Sequence, residues 1–164
     1  LALVDDRLPT TDRAFGLTDL TSLLWRLELE GCPAGDRWAL LAARWRDHDQ
    51  LHTTGFLDLH AAMAFSACPD DPGAEPFWLG LDACHRDGAS ENDRTFETVV
   101  RPVAAALRAH GEGRHADSAF GIEAVAGLVR RVGGSHAQRD VFFRTAADSR
   151  RRAAQPVPGT AVEA

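Results

Sequence analysis

Residues Gly133 to Asp140, GGSHAQRD, hold the densest set of reactive side chains in the 164-residue chain. Two glycines can end one helix and Ser135 can cap the next. Gln138 three residues later completes the reciprocal capping pattern that satisfies two orphan N–H groups. His136 is then the first helical residue, and His136, Arg139 and Asp140, at i, i+3 and i+4, project from one face beside a helix N-terminus. The positive end of the helix dipole disfavours protonation there, so His136 is expected to be neutral and able to take up or release a proton. An arginine fork, an imidazole and a helix N-terminus each suit a carboxylate or phosphate, and here they occupy one turn. The competing assignment makes Arg139 and Asp140 an ion pair that locks two helices together, with His136 as packing.

Four further groups have the right residue types. His60 shares an apolar helix face with Phe56 and Met63 and reads either as a hydrogen-bonded core histidine or as a neutral ring facing a pocket. Asp58 lies about 200° around the helix from His60, so the two are not a local dyad. Asp19, Ser22 and Arg26 share one face and suit either a polar ligand or an Asp–Arg packing pair. His48 and His52, flanked by Asp47 and Asp49, are four apart, but no third ligand has a defined spacing, so no metal site is expected. Cys84 and His85 are adjacent and diverge by about 100° on a helix, which rules against a thiol–imidazole pair.

Composition excludes several chemistries. The chain has no lysine, and all 18 basic residues are arginine. Schiff-base and pyridoxal-phosphate chemistry and the usual phosphate-loop nucleotide site are therefore absent, and no cofactor is expected. A net charge of −6 argues against a nucleic-acid or anionic-membrane surface, both of which need a positive field. No apolar run is long enough to span a bilayer and no signal-peptide pattern opens the chain, so a cytoplasmic location is expected. Cys32, Cys68 and Cys84 are odd in number and lack CxxC spacing, and they read as small buried side chains.

Alanine and leucine together number 46 against 11 valines and isoleucines, a balance that favours helices and an all-α fold. Residues 1–14, with Pro9 and Thr10–Asp12, read as an irregular lead-in, residues 15–153 as a single helical domain, and residues 154–164 as a disordered tail. About seven helices are predicted. Thr18 caps the first, which carries leucines at 17, 20, 24 and 27. Asp36 starts the second, over Trp38, Leu41 and Trp45. Gly55–Ala67 forms the third, and Glu75–Pro76 opens the fourth. Ser90 and Asp93 cap the fifth, which Pro102 should kink, and residues 114–132 form its partner. GGSHAQRD starts the seventh. The antiparallel hairpins recur every 36 to 44 residues, a spacing that suits a tetratricopeptide-like α-solenoid with a concave face. Apolar helix faces left open at its ends predict a homo-oligomer.

LTDLTSLLWRLELEG with GDRW soon after, GFLDLHAAMAF, and VGGSHAQRDVF together resemble the C-terminal part of the tetratricopeptide repeat protein 38 family, from about Leu17 to Phe143. The resemblance implies helical-repeat architecture and no established activity. Positions that match the family's pattern include Asp19, Trp25, Arg26, Asp36, Trp38, Asp58, His60, His136, Arg139 and Asp140. CPAG after the first helix, and the polar FFRTAADSRRRAA after Asp140, depart from it.

Two functions from different classes follow. One is a binding module holding a peptide or a small polar or anionic molecule through Arg139, His60, Trp25, Trp38 and Arg26. The other is a small-molecule enzyme without redox cofactor, with His136 as general acid/base, Asp140 or Asp58 orienting it and Arg139 anchoring an anionic group.

Overall fold

The stretch GFLDLHAAMAFSA has one charged residue and no polar face, so a helix built from it can be stable only if it is enclosed on all sides. The computed structural model, which describes residues 2–8, 14–84 and 88–155, places it at the centre of the molecule. The described residues are all-helical, without strands. In chain order the helices are α1 (Ala2–Arg7), α2 (Ala14–Leu29), α3 (Arg37–Arg46), α4 (Gly55–Ala67) and α5 (Ala74–Ala83). There follows α6, continuous through Glu91–Thr95, a π-helical turn Phe96–Val100 and Arg101–Gly111, then α7 (His115–Ala124) and α8 (His136–Ala153). A 3₁₀ turn, Val129–Val132, precedes α8. Helix α4 packs against α2, α3, α5 and α6, and every residue from Leu57 to Ser66 is buried. Helix α7 packs between α6 and α8, and α2 also meets α8, so the first long helix touches the last.

Local signals locate most boundaries. Both expected capping boxes form, Ser90 with Asp93 and Ser135 with Gln138. Gly133 and Gly134 have φ of 88° and 72°, left-handed values that a side chain resists, which is why two glycines stand between the 3₁₀ turn and α8. Three expectations need correction. The lead-in contains helix α1, whose Val4 is fully buried. Thr18 is not a cap but lies inside α2, its hydroxyl donating to the Phe15 carbonyl at 2.8 Å. The partner expected over residues 114–132 ends at Ala124 and continues as turns. Residues 156–164 of the expected tail lie outside the described residues, as does His85.

Two buried tryptophans tie helices together through threonines. Trp45 Nε1–H donates to Thr21 Oγ1 at 2.8 Å, and Trp25 Nε1–H donates to Thr145 Oγ1 at 2.8 Å. Each threonine passes its own proton to the carbonyl four residues earlier, Leu17 or Val141. The indoles thus bury their large apolar surface without an unsatisfied N–H.

Candidate functional site

The GGSHAQRD turn is built as the capping signals require, and its charged side chains are used within the fold. Arg139 Nη1 donates to the carbonyls of Gly133, at 3.0 Å, and Gly134. Asp140 accepts from Arg144 Nε at 2.6 Å. Arg26 reaches from α2 to donate to the Ala137 carbonyl and to Ser22 Oγ, which joins the first turn of α8 to α2. His136 is exposed and has no side-chain hydrogen bond or ring contact among the described residues. Replacing Arg139 with alanine is therefore expected to lower stability by about 1 kcal/mol, through loss of hydrogen bonds to the turn carbonyls. Urea unfolding of Arg139→Ala checks this, and an unchanged midpoint would contradict it.

His60 lies under the same turn. Phe56 packs against it at 4.5 Å between ring centroids, and a Cβ on Gly134 would stand 2.7 Å from Phe56 Cε2. The imidazole is wholly buried, and its Nδ1–H donates to the Phe56 carbonyl at 2.8 Å, leaving Nε2 without a hydrogen-bond partner among the described residues. Burial pulls its pKa from 6.5 to about 4, and the nearby Arg26 charge adds to the shift. Asp58 is also fully buried but serves the preceding loop. Its Oδ1 accepts the His52 N–H at 2.7 Å and holds His52 at φ 63°. The structure therefore brings His60 beneath the glycine turn but directs Asp58 and Asp140 to different partners and leaves His136 exposed. Among the described residues no group of three or more His, Cys, Asp or Glu is placed to hold a metal ion.

A different constellation lines a cleft of about 380 Å³ between α2, the C-terminus of α4, the C-terminus of α6 and α8. Trp25, Leu29, Pro33, Ala67 and Pro69 give it apolar walls, while Glu28, Ser66, His110 and Arg152 supply polar groups. The Ser66 hydroxyl has no hydrogen-bond partner among the described residues, although Ser66 is only 6% exposed. Gly111 also lines the cleft, and a Cβ there would stand 2.3 Å from the Ser66 carbonyl oxygen, so glycine is what lets α6 approach α4. Trp38 sits behind Trp25 in an edge-to-face contact, with centroids 6.0 Å apart, and its indole N–H lacks a partner among the described residues.

His110 is the reactive group of this cleft. Its Nδ1 lies 2.8 Å from Ser149 Oγ, and Ser149 donates its single hydroxyl proton to Ser118 Oγ at 3.0 Å. The imidazole is thereby tied through Ser149 to Ser118 on α7. Asp148 Oδ2 lies 3.8 Å from Nε2 and accepts from Arg152 Nε at 2.6 Å, while Asp148 Oδ1 accepts from Arg151. Burial outweighs the Asp148 charge and draws the His110 pKa to about 4. His115, whose ring lies 5.3 Å away, is shifted down as well, by burial first and then by Arg152. Serine, histidine and aspartate are thus together, but Ser149 is fully buried with its proton committed. The arrangement provides a neutral base and hydrogen-bonding capacity rather than a serine nucleophile.

Of the residues singled out from sequence, Trp25 lines this cleft, with Trp38 directly behind it, while Arg26, His60 and Arg139 lie around the glycine turn. His110, Ser66, Arg152 and Glu28 were not anticipated. The available signal was the spacing of Val103, Leu107 and His110 at i, i+4 and i+7, which puts an imidazole on a core-facing stripe. No known family model matches the chain, and no solved structure matches it. Among the described residues no helix is long and apolar enough to cross a membrane.

Proposed function

We propose that the chain is a helical-repeat binding module of tetratricopeptide-like kind, set in the cytoplasm, that holds a small polar or anionic molecule in the Trp25–His110 cleft. The hairpins α2–α3, α4–α5 and α6–α7 support a short repeat array, drawn closed where α2 meets α8. One observation carries the binding role: a concave cleft brings several polar groups, among them a buried serine hydroxyl and a neutral imidazole, together with apolar wall residues. A ligand that binds only the folded state raises the unfolding temperature with its concentration. Acetate, inorganic phosphate, 3-phenylpropionate and L-phenylalanine serve as probes in thermal unfolding. At least one is expected to give a saturable rise, and a flat response to all four would count against the reading.

An enzymatic reading has one observation in its favour, the neutral imidazole of His110 held against Ser149. Catalysis there would be proton transfer without redox cofactor, with His110 in the role the sequence suggested for His136. Self-association belongs to the same proposal, because Phe15 and Phe120 are 73% and 74% exposed. Light scattering at rising concentration should show a mass above 17.8 kDa, and a constant monomer mass would contradict it.

A further inference from the structure

The cleft presents one guanidinium and one carboxylate from different helices, Arg152 from α8 and Glu28 from α2. Each is only partly engaged. Glu28 accepts the Ala34 N–H through Oε1 at 3.2 Å, and Arg152 gives Nε to Asp148 at 2.6 Å. The second Glu28 oxygen and the terminal Arg152 nitrogens make no further hydrogen bond with described residues. Asp148 also carries Arg151, so two guanidinium charges face one carboxylate and a positive excess remains at the α8 side. On the α2 side Glu28 has no ion pair among the described residues.

A simple anion would satisfy Arg152 but face Glu28, and a simple cation would have the reverse conflict. Unlike charges lining one small volume are both matched by a ligand that carries both signs. The rest of the lining is mixed, with Ser66 and His110 as polar groups and Trp25, Leu29, Pro33, Ala67 and Pro69 as the apolar surface against which an apolar substituent can lie.

Resting on the ligand-cleft reading above, we propose that the cleft takes a zwitterionic α-amino acid with an apolar side chain. Its carboxylate meets the terminal nitrogens of Arg152, its ammonium meets Glu28, and its side chain lies against Trp25 and Leu29. His110 is neutral at pH 7 and so adds no competing charge.

Isothermal titration of the full chain with L-phenylalanine, N-acetyl-L-phenylalanine, L-phenylalaninamide and 3-phenylpropionate at pH 7.5 tests this. L-phenylalanine is expected to bind at least tenfold more tightly than each analogue lacking one charge. Glu28→Gln should remove the preference over the N-acetyl compound, and Arg152→Gln the preference over the amide. Circular dichroism is expected to be unchanged in both, since each residue is partly exposed. Equal binding of all four compounds to the unaltered protein would overturn the zwitterion and leave the ligand cleft standing. No binding by any of the four to the folded protein, together with a flat thermal response to acetate and phosphate, would overturn both.

Discussion

Acidification from pH 7 to pH 4.5 is expected to strip several kcal/mol from the stability of the domain, before most of its carboxylates titrate. His60 has a pKa near 6.5 when the chain is unfolded and about 4 when folded. Above pH 6.5 both states are neutral and stability is undiminished. Between 6.5 and 4 the unfolded chain takes up a proton that the folded chain refuses, so stability falls as pH falls, by about 3 kcal/mol in total for a shift of this size. His110 acts in the same direction and over the same window, and His115 is shifted the same way. Urea unfolding at intervals from pH 7.5 to 4.5 would show the decline. His60→Asn can keep a donor toward the Phe56 carbonyl but does not titrate, so its profile should be flatter. A wild-type stability that stays level down to pH 4.5, or an equal slope in His60→Asn, would contradict the buried, neutral imidazole.

Gly111→Ala is expected to cost about 2 kcal/mol net, combining overpacking of 1–3 kcal/mol with the smaller gain from replacing a helical glycine. The new Cβ would meet main chain, standing 2.3 Å from the oxygen and 3.0 Å from the carbonyl carbon of Ser66, so no side-chain rotation relieves it. Helices α4 and α6 must part, and the cleft that Ser66 and Gly111 both line must change shape. Gly127→Ala is the control, since nothing lies within 4 Å of its Cβ position and its φ is not positive. A melting temperature about 4–8 °C lower for Gly111→Ala, with Gly127→Ala near wild type, is the expected pair of results. Equal melting temperatures would show that the α4–α6 approach is looser than described.

Short-range features were legible in the sequence because their physics is local. Both capping boxes, the extent of α4 and the glycine stop before α8 depend on residues within a turn of one another. The site was less legible because its partners meet only through tertiary packing. Arg26 reaches a carbonyl 111 positions away, and His110 meets a serine 39 positions away. GGSHAQRD drew attention through its density of reactive side chains, yet Arg139 completes a turn and Asp140 an ion pair. The stretch FFRTAADSRRRAA after Asp140 is polar in composition. Its Thr145, Asp148 and Ser149 nevertheless continue the buried stripe begun by Val141 and Phe142, at helical spacing. Polar residues on the inner faces of two helices that pack together were the signal of the cleft, and only the topology shows that they face each other.

Ligand recognition is proposed to belong to the Trp25–His110 cleft rather than to the glycine turn. The most direct measurement is a ¹H–¹⁵N NMR titration with L-phenylalanine, with assigned backbone amides and the Trp25 indole N–H resolved. Saturable shifts confined to Trp25, Leu29, Ser66, His110, Gly111 and Arg152, with residues 133–140 unmoved, are the predicted result. Shifts concentrated at residues 133–140, with the Trp25 indole and His110 unaffected, would contradict it.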